Sequence, residues 1–363
     1  MWIMIGIVTA VYALLVFYVG WSGWRWMKPN TSRILKAAYV IVLTFVAASF
    51  ILGQFFENNT LLTIVGSYWM AILYVLLLLL PITHAVMLLL RFTKLSRDQV
   101  QRWAGVAVLL VLVGAIGAGS FNAYSPVVRT YHIHIPKLSD PSKPLTIAMA
   151  ADMHFGVLSN KHHAAKLVEE INKLNPDLVL FAGDLVDDDI VEFTRQGIDR
   201  ILSGIQAPLG VYAALGNHDR HDGPPEELVD ALEKSGMRVL YDEAVEIDGQ
   251  FTLAGRRDDS DPGRAPLEEL LTDVDPSKPV FLIDHQPTEL GIAQQQGVDL
   301  IVSGHTHHGQ VFPGSLLTGL LFENDWGYLQ KEQLHSIVTS GYGFWGPPIR
   351  IGTRSEIVQI IVN

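Results

Sequence analysis

Gly304-His305-Thr306-His307-His308-Gly309-Gln310 follows the apolar run Leu300-Ile301-Val302. Two histidines one residue apart, on a glycine-flanked turn leaving a strand, can aim both imidazoles into one pocket and so serve two adjacent metal ions. Four segments of matching character lie upstream: Asp152-Met153-His154, Gly183-Asp184, Gly216-Asn217-His218-Asp219 and Asp284-His285. Each follows a short apolar run. Together they offer Asp152, His154, Asp184, Asn217, His285, His305 and His307, a set of two carboxylates, one amide and four imidazoles. Hard and borderline divalent cations take such donors. The set suffices for two ions sharing Asp184, with positions left for water and substrate. One turn alone means little, since an isolated Asp-X-His is usually an ordinary turn. Five in succession point to a site.

Composition narrows the classes. Of the 26 Lys+Arg, eight lie in residues 1–121, and of the 37 Asp+Glu only Glu57 and Asp98 do. That leaves 18 basic and 35 acidic residues in the remainder, a formal charge of −17. A nucleic-acid surface needs Lys/Arg stripes, so no nucleic-acid partner is expected. The chain has no cysteine, which excludes disulfides and thiolate metal sites.

The first 121 residues read as a membrane half. Residues 2–21, 37–56, 61–90 and 103–121 are apolar throughout. Each reaches the ~20 residues needed to cross a ~30 Å hydrocarbon core. No basic segment precedes the first, and three more follow, which argues against a cleaved signal peptide. The linker after the first span carries Arg25, Lys28, Arg33 and Lys36, and the linker after the third carries Arg91, Lys94, Arg97 and Arg102. The linker after the second, residues 57–60, carries none. The positive-inside rule then places the basic linkers in the cytoplasm and the large C-terminal domain outside it. His84, in the third span near Pro81, reads as a neutral histidine bonded to a neighbouring helix. Gly114, Gly117 and Gly119 suggest close packing of the fourth.

The C-terminal half alternates strand, turn and helix. Strands are expected at 127–135, 145–150, 177–181, 210–215, 237–241, 245–254, 279–283, 298–303, 334–340 and 355–362. Helices are expected at 160–174 with Asn160 as N-cap, at 189–205 and at 225–235. Residues 138–144 read as a loop. The pattern predicts an α/β fold with covered sheets and its site at the strand carboxyl ends. The expected organisation is a four-helix transmembrane domain over 1–121, a linker and first strand over 122–144, and a catalytic domain over 145–363.

From about residue 145 onward the sequence resembles the calcineurin-like metallophosphoesterase family, through its motifs D-x-H, GD, GNHD, H and GHTH. The tail Ser340 to Glu356 resembles the membrane-associated bacterial branch, of YaeI/YkuE type. The resemblance implies a four-layer αββα sandwich of two sheets flanked by helices. It also implies that Asp152, His154, Asp184 and His307 hold one divalent ion (Mn, Fe, Zn or Mg). Asp184, Asn217, His285 and His305 would hold a second. His218 would stand over the phosphate as general acid or electrostatic clamp, oriented by Asp219. Two ions ~3.5–4 Å apart acidify a bridging water toward hydroxide, which attacks phosphorus in line, while His218 protonates the leaving oxygen. The expected substrates are phosphodiesters, pyrophosphates or phosphomonoesters, lipid-linked ones foremost, with the bilayer as partner. The alternative is a catalytically silent membrane scaffold or sensor that keeps the metal and loses turnover.

Other residues carry weaker expectations. His132 and His134 read as exposed strand histidines, His308 as outward-facing, and His162 and His163 as solvated. His221 and Asp222 could line the rim. Arg256, Arg257 and Arg350 are candidates for bidentate phosphate contact, with ordinary surface pairing as the other reading for the first two. Phe312 to Trp326 reads as an apolar loop, packed under the sheet or forming a lip toward lipid.

Overall fold

A computed structural model of the chain describes residues 2–27, 31–56, 59–138, 144–187, 190–220 and 226–363. Two compact units divide it: Met1–Ser120 with Gly346–Pro348, and Phe121–Trp345 with Ile349–Asn363.

The first unit is built from α1 (Trp2–Trp26), α2 (Arg33–Phe55), α3 (Thr60–Leu90) and α4 (Arg97–Tyr124). All four are long and apolar enough to cross a membrane. Their large apolar side chains point mostly outward, as a hydrocarbon solvent favours, around a small core of Val19, Ala47, Trp69, Leu73, Leu80 and Val108. Polar groups pair between helices: Trp69 Nε1 donates to Tyr12 Oη (2.8 Å), which donates to the Ala47 carbonyl (2.8 Å). His84 on α3 meets Tyr18 Oη on α1 at 3.0 Å, the neighbouring-helix bond expected of it. The expected close packing at Gly114 and Gly117 of α4 is corrected. A Cβ at Gly114 or Gly117 would meet open space, whereas one at Gly66 would press on the Phe50 backbone at 2.7 Å. Small-residue packing sits between α2 and α3.

The second unit runs β1 (Val127–Ile133), β2 (Leu145–Ala150), α5 (Lys161–Lys173), β3 (Leu178–Ala182), α6 (Ile190–Arg195), α7 (Ile198–Leu202), β4 (Val211–Ala214), α8 (Glu226–Lys234), β5 (Met237–Val239), β6 (Glu243–Ile247) and β7 (Phe251–Gly255). It continues through α9 (Leu267–Leu270), β8 (Val280–Ile283), α10 (Leu290–Gln295), β9 (Leu300–Ser303), α11 (Gly314–Leu321), β10 (Gly327–Lys331), β11 (Leu334–Val338) and β12 (Glu356–Val362). One sheet has strand order β1-β12-β2-β3-β4-β5 and the other β10-β11-β9-β8-β7-β6. The strands β2 to β5 are mutually parallel, as are β7, β8, β9 and β11.

Side-chain alternation stacks the layers. Ile147 and Met149 of β2 face the second sheet and meet Leu253, Phe281, Ile283 and Val302 in the central core. Their neighbours Ala148 and Ala150 face Leu167, Phe193 and Leu228 of α5, α6 and α8. On the far side Val280 and Leu282 face Leu267 and Leu290 of α9 and α10. Two sheets with helices over both outer faces make the four-layer α/β sandwich.

Three local differences from the expected elements have physical causes. The helix expected at 189–205 is interrupted at Gly197, whose φ of 66° breaks the α ladder into α6 and α7. The strand expected at 245–254 is a hairpin turned by Asp248 (φ 48°) and Gly249 (φ 69°). The apolar stretch after Phe312 is a helix, α11, followed by β10. Strand β1 pairs with β12 along all seven residues and forms the edge of the first sheet. Residues 139–143 of the expected loop, and His221 and Asp222 of the expected rim, lie outside the described residues.

His162 is exposed, but the expectation that His163 is solvated is overturned. Asn160 caps α5, its side chain accepting from His162 N, and the helix turns His163 inward. Its ring stacks on Tyr342 at 4.3 Å, and its Nδ1 meets Ser159 Oγ at 3.0 Å. Burial, with the charges of Lys166 and Arg350, pushes its pKa down to about 3. The native state therefore refuses a proton that the unfolded chain takes up below pH ~6.5. Stability is unaffected above that pH and is lost as pH falls from ~6.5 toward 3. In thermal unfolding of the solubilised protein, His163→Phe should lose less Tm between pH 7 and pH 5 than the parent chain. Equal losses would mean that His163 is not held neutral.

Candidate metal centre

Strand ends bring the five turns together. Asp152 and His154 follow β2, Asp184 follows β3, Asn217 and His218 follow β4, His285 follows β8, and His305 and His307 follow β9. Parallel neighbours in each sheet deliver these turns to one edge of the sandwich.

The atoms converge closely. His154 Nε2 and His307 Nε2 are 3.2 Å apart, and Asp152 Oδ1 lies 3.7 Å from His307 Nε2. His285 Nε2 stands 3.2 Å from both Asp184 Oδ2 and Asn217 Oδ1, and His305 Nδ1 is 3.0 Å from Asn217 Oδ1. Asp184 Oδ2 is also 3.7 Å from His154 Nε2, so this carboxylate lies between the two groups of imidazoles. Two overlapping sets, Asp152/His154/His307 and Asp152/Asp184/His285, have the spacing to hold a metal ion. All seven residues singled out in the turns meet here. The converging donors are imidazole nitrogens, an amide oxygen and carboxylate oxygens, with no ammonium or guanidinium among them. That chemistry fits divalent cations.

Backbone and surrounding groups fix the donors. His285 Nδ1 donates to the Ala182 carbonyl at 2.8 Å, which leaves Nε2 for the site. Asp184 Oδ1 accepts from His218 N (2.9 Å), and Asp152 Oδ1 accepts from His305 N (2.9 Å). Left-handed backbone recurs at Asp152 (φ 54°), His154 (44°), Asp184 (52°), His305 (68°), His307 (48°) and His308 (46°). Such conformations cost non-glycine residues about 1–3 kcal/mol each and persist where function and packing over-determine them.

Burial and mutual charge set the protonation states. Burial opposes ionisation of Asp184, but the His285, His154 and His218 charges outweigh it and hold its pKa far below the carboxylate range. Asp152 is pushed up to about 6, by burial first and with Asp184 adding, although His285 and His154 pull it down. Burial, His154 and Arg350 hold His307 well below its ordinary value, while burial and His285 bring His305 down to about 4. Both are neutral at pH 7. Burial would lower His285 too, yet Asp184 and Asp152 raise it well above the ordinary value. A cation held there would displace a proton.

Several expectations need correction. Asp219 was expected to orient His218. Its Oδ1 instead accepts from Leu185 N (2.8 Å) and Val186 N (3.0 Å), and its Oδ2 from Gly216 N (2.8 Å). Asp219 thus ties the Asp184 turn to the Asn217 turn. His308 does not face outward: its Nδ1 meets Asp325 Oδ2 at 2.9 Å and its ring stacks on Trp326. Neither Arg256 nor Arg350 is placed for phosphate. Buried Arg256 pairs with Asp284 (3.3 Å) and Glu289 (2.6 Å), and Arg264 joins both oxygens of Asp284 (3.0 and 2.8 Å). Arg257 lies over the Tyr241 ring and pairs with Asp242 and Asp261. Arg350, fully buried, donates to the Gly343 carbonyl (2.7 Å) and reaches His307 Nδ1 at 3.3 Å. His132 on β1 and His134 just beyond its end are exposed, as expected. Sequence reading missed Asp187, whose Oδ1 lies 3.6 Å from His154 Nδ1, because it sits in a run of three aspartates that reads as solvent-facing.

The family model described as calcineurin-like phosphoesterase matches residues 145–309. An uncharacterized metallophosphoesterase of Helicobacter pylori is 29% identical, covering 98% of each chain. Another, of Aquifex aeolicus, is 33% identical over 70% of this chain and 98% of its own. A Danio rerio transmembrane protein with metallophosphoesterase domain is 29% identical over 71% of this chain and 61% of its own length. The chain belongs to the calcineurin-like metallophosphoesterase family, and its four apolar helices make it a membrane protein.

Gly216 offers a test of the centre. Its backbone does not have a positive φ, so alanine is admissible on conformational grounds. A Cβ there would nevertheless overlap Asp184 Oδ1 and crowd Asp184 N (2.6 Å). Gly216→Ala should weaken Mn²⁺ binding about 10–100-fold by calorimetry, as displaced supporting groups do, with the circular dichroism unchanged. Unchanged affinity would remove Asp184 from the ligand set.

Proposed function

We propose that this chain is a membrane-bound, binuclear metal phosphohydrolase acting on phosphodiester, pyrophosphate or phosphomonoester bonds at the membrane surface. The observation that carries the reading is the convergence of seven donor side chains from five strand ends, five of which form two overlapping ligand sets, with Asn217 and His305 beside them. Asp152, His154, Asp184 and His307 would hold one divalent ion, and Asp184, Asn217, His285 and His305 the other. When bound, such ions supply Lewis acidity that neutralises phosphoryl charge and lowers the pKa of a water to near neutrality.

The chain's own groups do the rest. On binding the ions His285 would give up the proton that Asp184 and Asp152 stabilise on it, while His305 and His307 are already held neutral. The His218 ring lies 4.9 Å from the His154 ring and 5.9 Å from Trp345 at the mouth, partly exposed. In this reading it donates a proton to the leaving oxygen as the ester bond breaks. Asp219 keeps the two turns flanking it in register.

With Mn²⁺ the solubilised protein should hydrolyse bis(p-nitrophenyl) phosphate or p-nitrophenyl phosphate, and the ratio of the two rates assigns diester or monoester preference. His218→Ala should lower kcat about 10²–10⁴-fold with metal content retained. Protein that binds two ions and turns over neither ester nor pyrophosphate would instead be a silent scaffold or sensor.

The basic linkers after the first and third helices further support a multi-pass protein with its catalytic domain outside the cytoplasm. Protease added to right-side-out vesicles should then digest that domain. Digestion only of inverted vesicles would reverse the orientation.

A further inference from the structure

Helix α11 presents its apolar side outward. Leu316, Leu317, Leu320 and Leu321 are 61%, 60%, 84% and 68% exposed, and the helix has no buried residue. The spacing i, i+1, i+4, i+5 gathers the four leucines on one stripe. Ser315 and Thr318 are partly covered instead, and Thr318 Oγ1 donates to Asp325 Oδ2 at 2.8 Å. A helix that merely closes a loop over the sandwich would put leucines inward and hydroxyls out. The expectation that this stretch packs under the sheet is therefore wrong. No residue of α11 is charged.

The helix is fastened to the metal-ligand turn. Gly309 and Gly314 approach so closely that a Cβ on either would overlap the other's backbone. Thr306 Oγ1 donates to the Asp325 carbonyl (2.6 Å), and Asp325 in turn holds His308. The Phe322 ring at the end of α11 lies 6.0 Å from the His305 ring. Phe312 (52% exposed) precedes the helix. Trp345 (57% exposed) stands near His218, linked to the same turn by reciprocal bonds with Gln310 (2.9 and 3.0 Å).

Contiguous exposed leucine flanked by exposed Trp and Phe is what a lipid interface favours and water does not. The bilayer is the solvent this chain already meets: α4 is apolar enough to cross it, and only Ser125 and Pro126 separate α4 from β1.

We propose that α11 is a membrane-docking lip, whose leucine stripe enters the hydrocarbon edge of the bilayer. Through its attachment to the His305–Gln310 turn it presents the metal centre to phosphoesters of lipids lying in that bilayer. The choice of substrate rests on the phosphohydrolase reading above; the docking itself does not.

The absence of cysteine allows a direct test. Leu320→Cys in the full chain, labelled with an environment-sensitive dye and reconstituted into phosphatidylcholine/phosphatidylglycerol vesicles, should show blue-shifted emission. Doxyl-labelled lipid should quench it at least twofold. Ser277→Cys, on an exposed turn, should show neither effect. Emission from Leu320→Cys matching the water-exposed control, or a blue shift without doxyl quenching in particles of doubled mass, would overturn the docking; the second outcome would make the stripe a contact between copies. A second arm compares hydrolysis of a long-chain lipid phosphodiester in vesicles with that of bis(p-nitrophenyl) phosphate. Replacing all four leucines by serine should lower that ratio at least tenfold, and an unchanged ratio would overturn the substrate assignment. If neither ester is turned over, the hydrolase reading fails while the quenching result still decides the docking.

Discussion

Two carboxylates, Asp152 and Asp184, are withdrawn from water at the ends of adjacent parallel strands, and the rest of the domain answers to that constraint. A buried anion costs several kcal/mol unless it is compensated. Here the compensation is the ring of imidazoles and backbone N–H groups, several of them supplied by segments more than 100 residues away in sequence. His305 N closes on Asp152, and His285 Nε2 on Asp184. The first and second sheets must therefore face each other in one register, and the central core of Ile147, Phe281 and Val302 provides the hydrophobic force that holds them so. The run of left-handed non-glycine residues at the turns is the local cost of aiming short side chains at one point.

Behind the donors stands a second tier of buried polar groups whose role is mechanical. Asp219 clamps two loops through three backbone N–H groups. Asp284, next to His285, is gripped by Arg264 and Arg256. Arg350 fills the space behind His307 and bonds the Gly343 carbonyl. Placing guanidinium groups behind the histidines, with none among the converging donors, keeps the pocket open to cations while neutralising acids that would otherwise be buried alone.

The same turn that supplies His305 and His307 leads into α11, so the candidate metal centre and an exposed leucine stripe share one hydrogen-bonded segment. Hydrogen bonds from Thr306, His308 and Thr318 all end on Asp325. A turn rich in candidate metal ligands and an exposed apolar surface are thereby linked over a few residues, in a chain whose first four helices are apolar enough to cross a membrane.

Much of this was legible in the sequence because it is local. Hydrophobic runs of ~20 residues without charge can only be long apolar helices, and apolar strands ending in Asp, Asn or His beside tight turns mark both the sheets and the donors. Asn160 as a helix cap and β2 at 145–150 needed no partners to be recognised. What the sequence left open is what depends on the far side of the fold. His163 became a core residue because Tyr342 comes back over α5. Arg256 and Arg350 turned inward because Asp284 and the Gly343 carbonyl awaited them, and Asp219 bonded loops that sequence cannot bring together. The direction α11 faces is the same kind of fact. Its composition says only that it is apolar; tertiary contacts at Gly309 and Asp325 decide which side is covered, and they cover the hydroxyls.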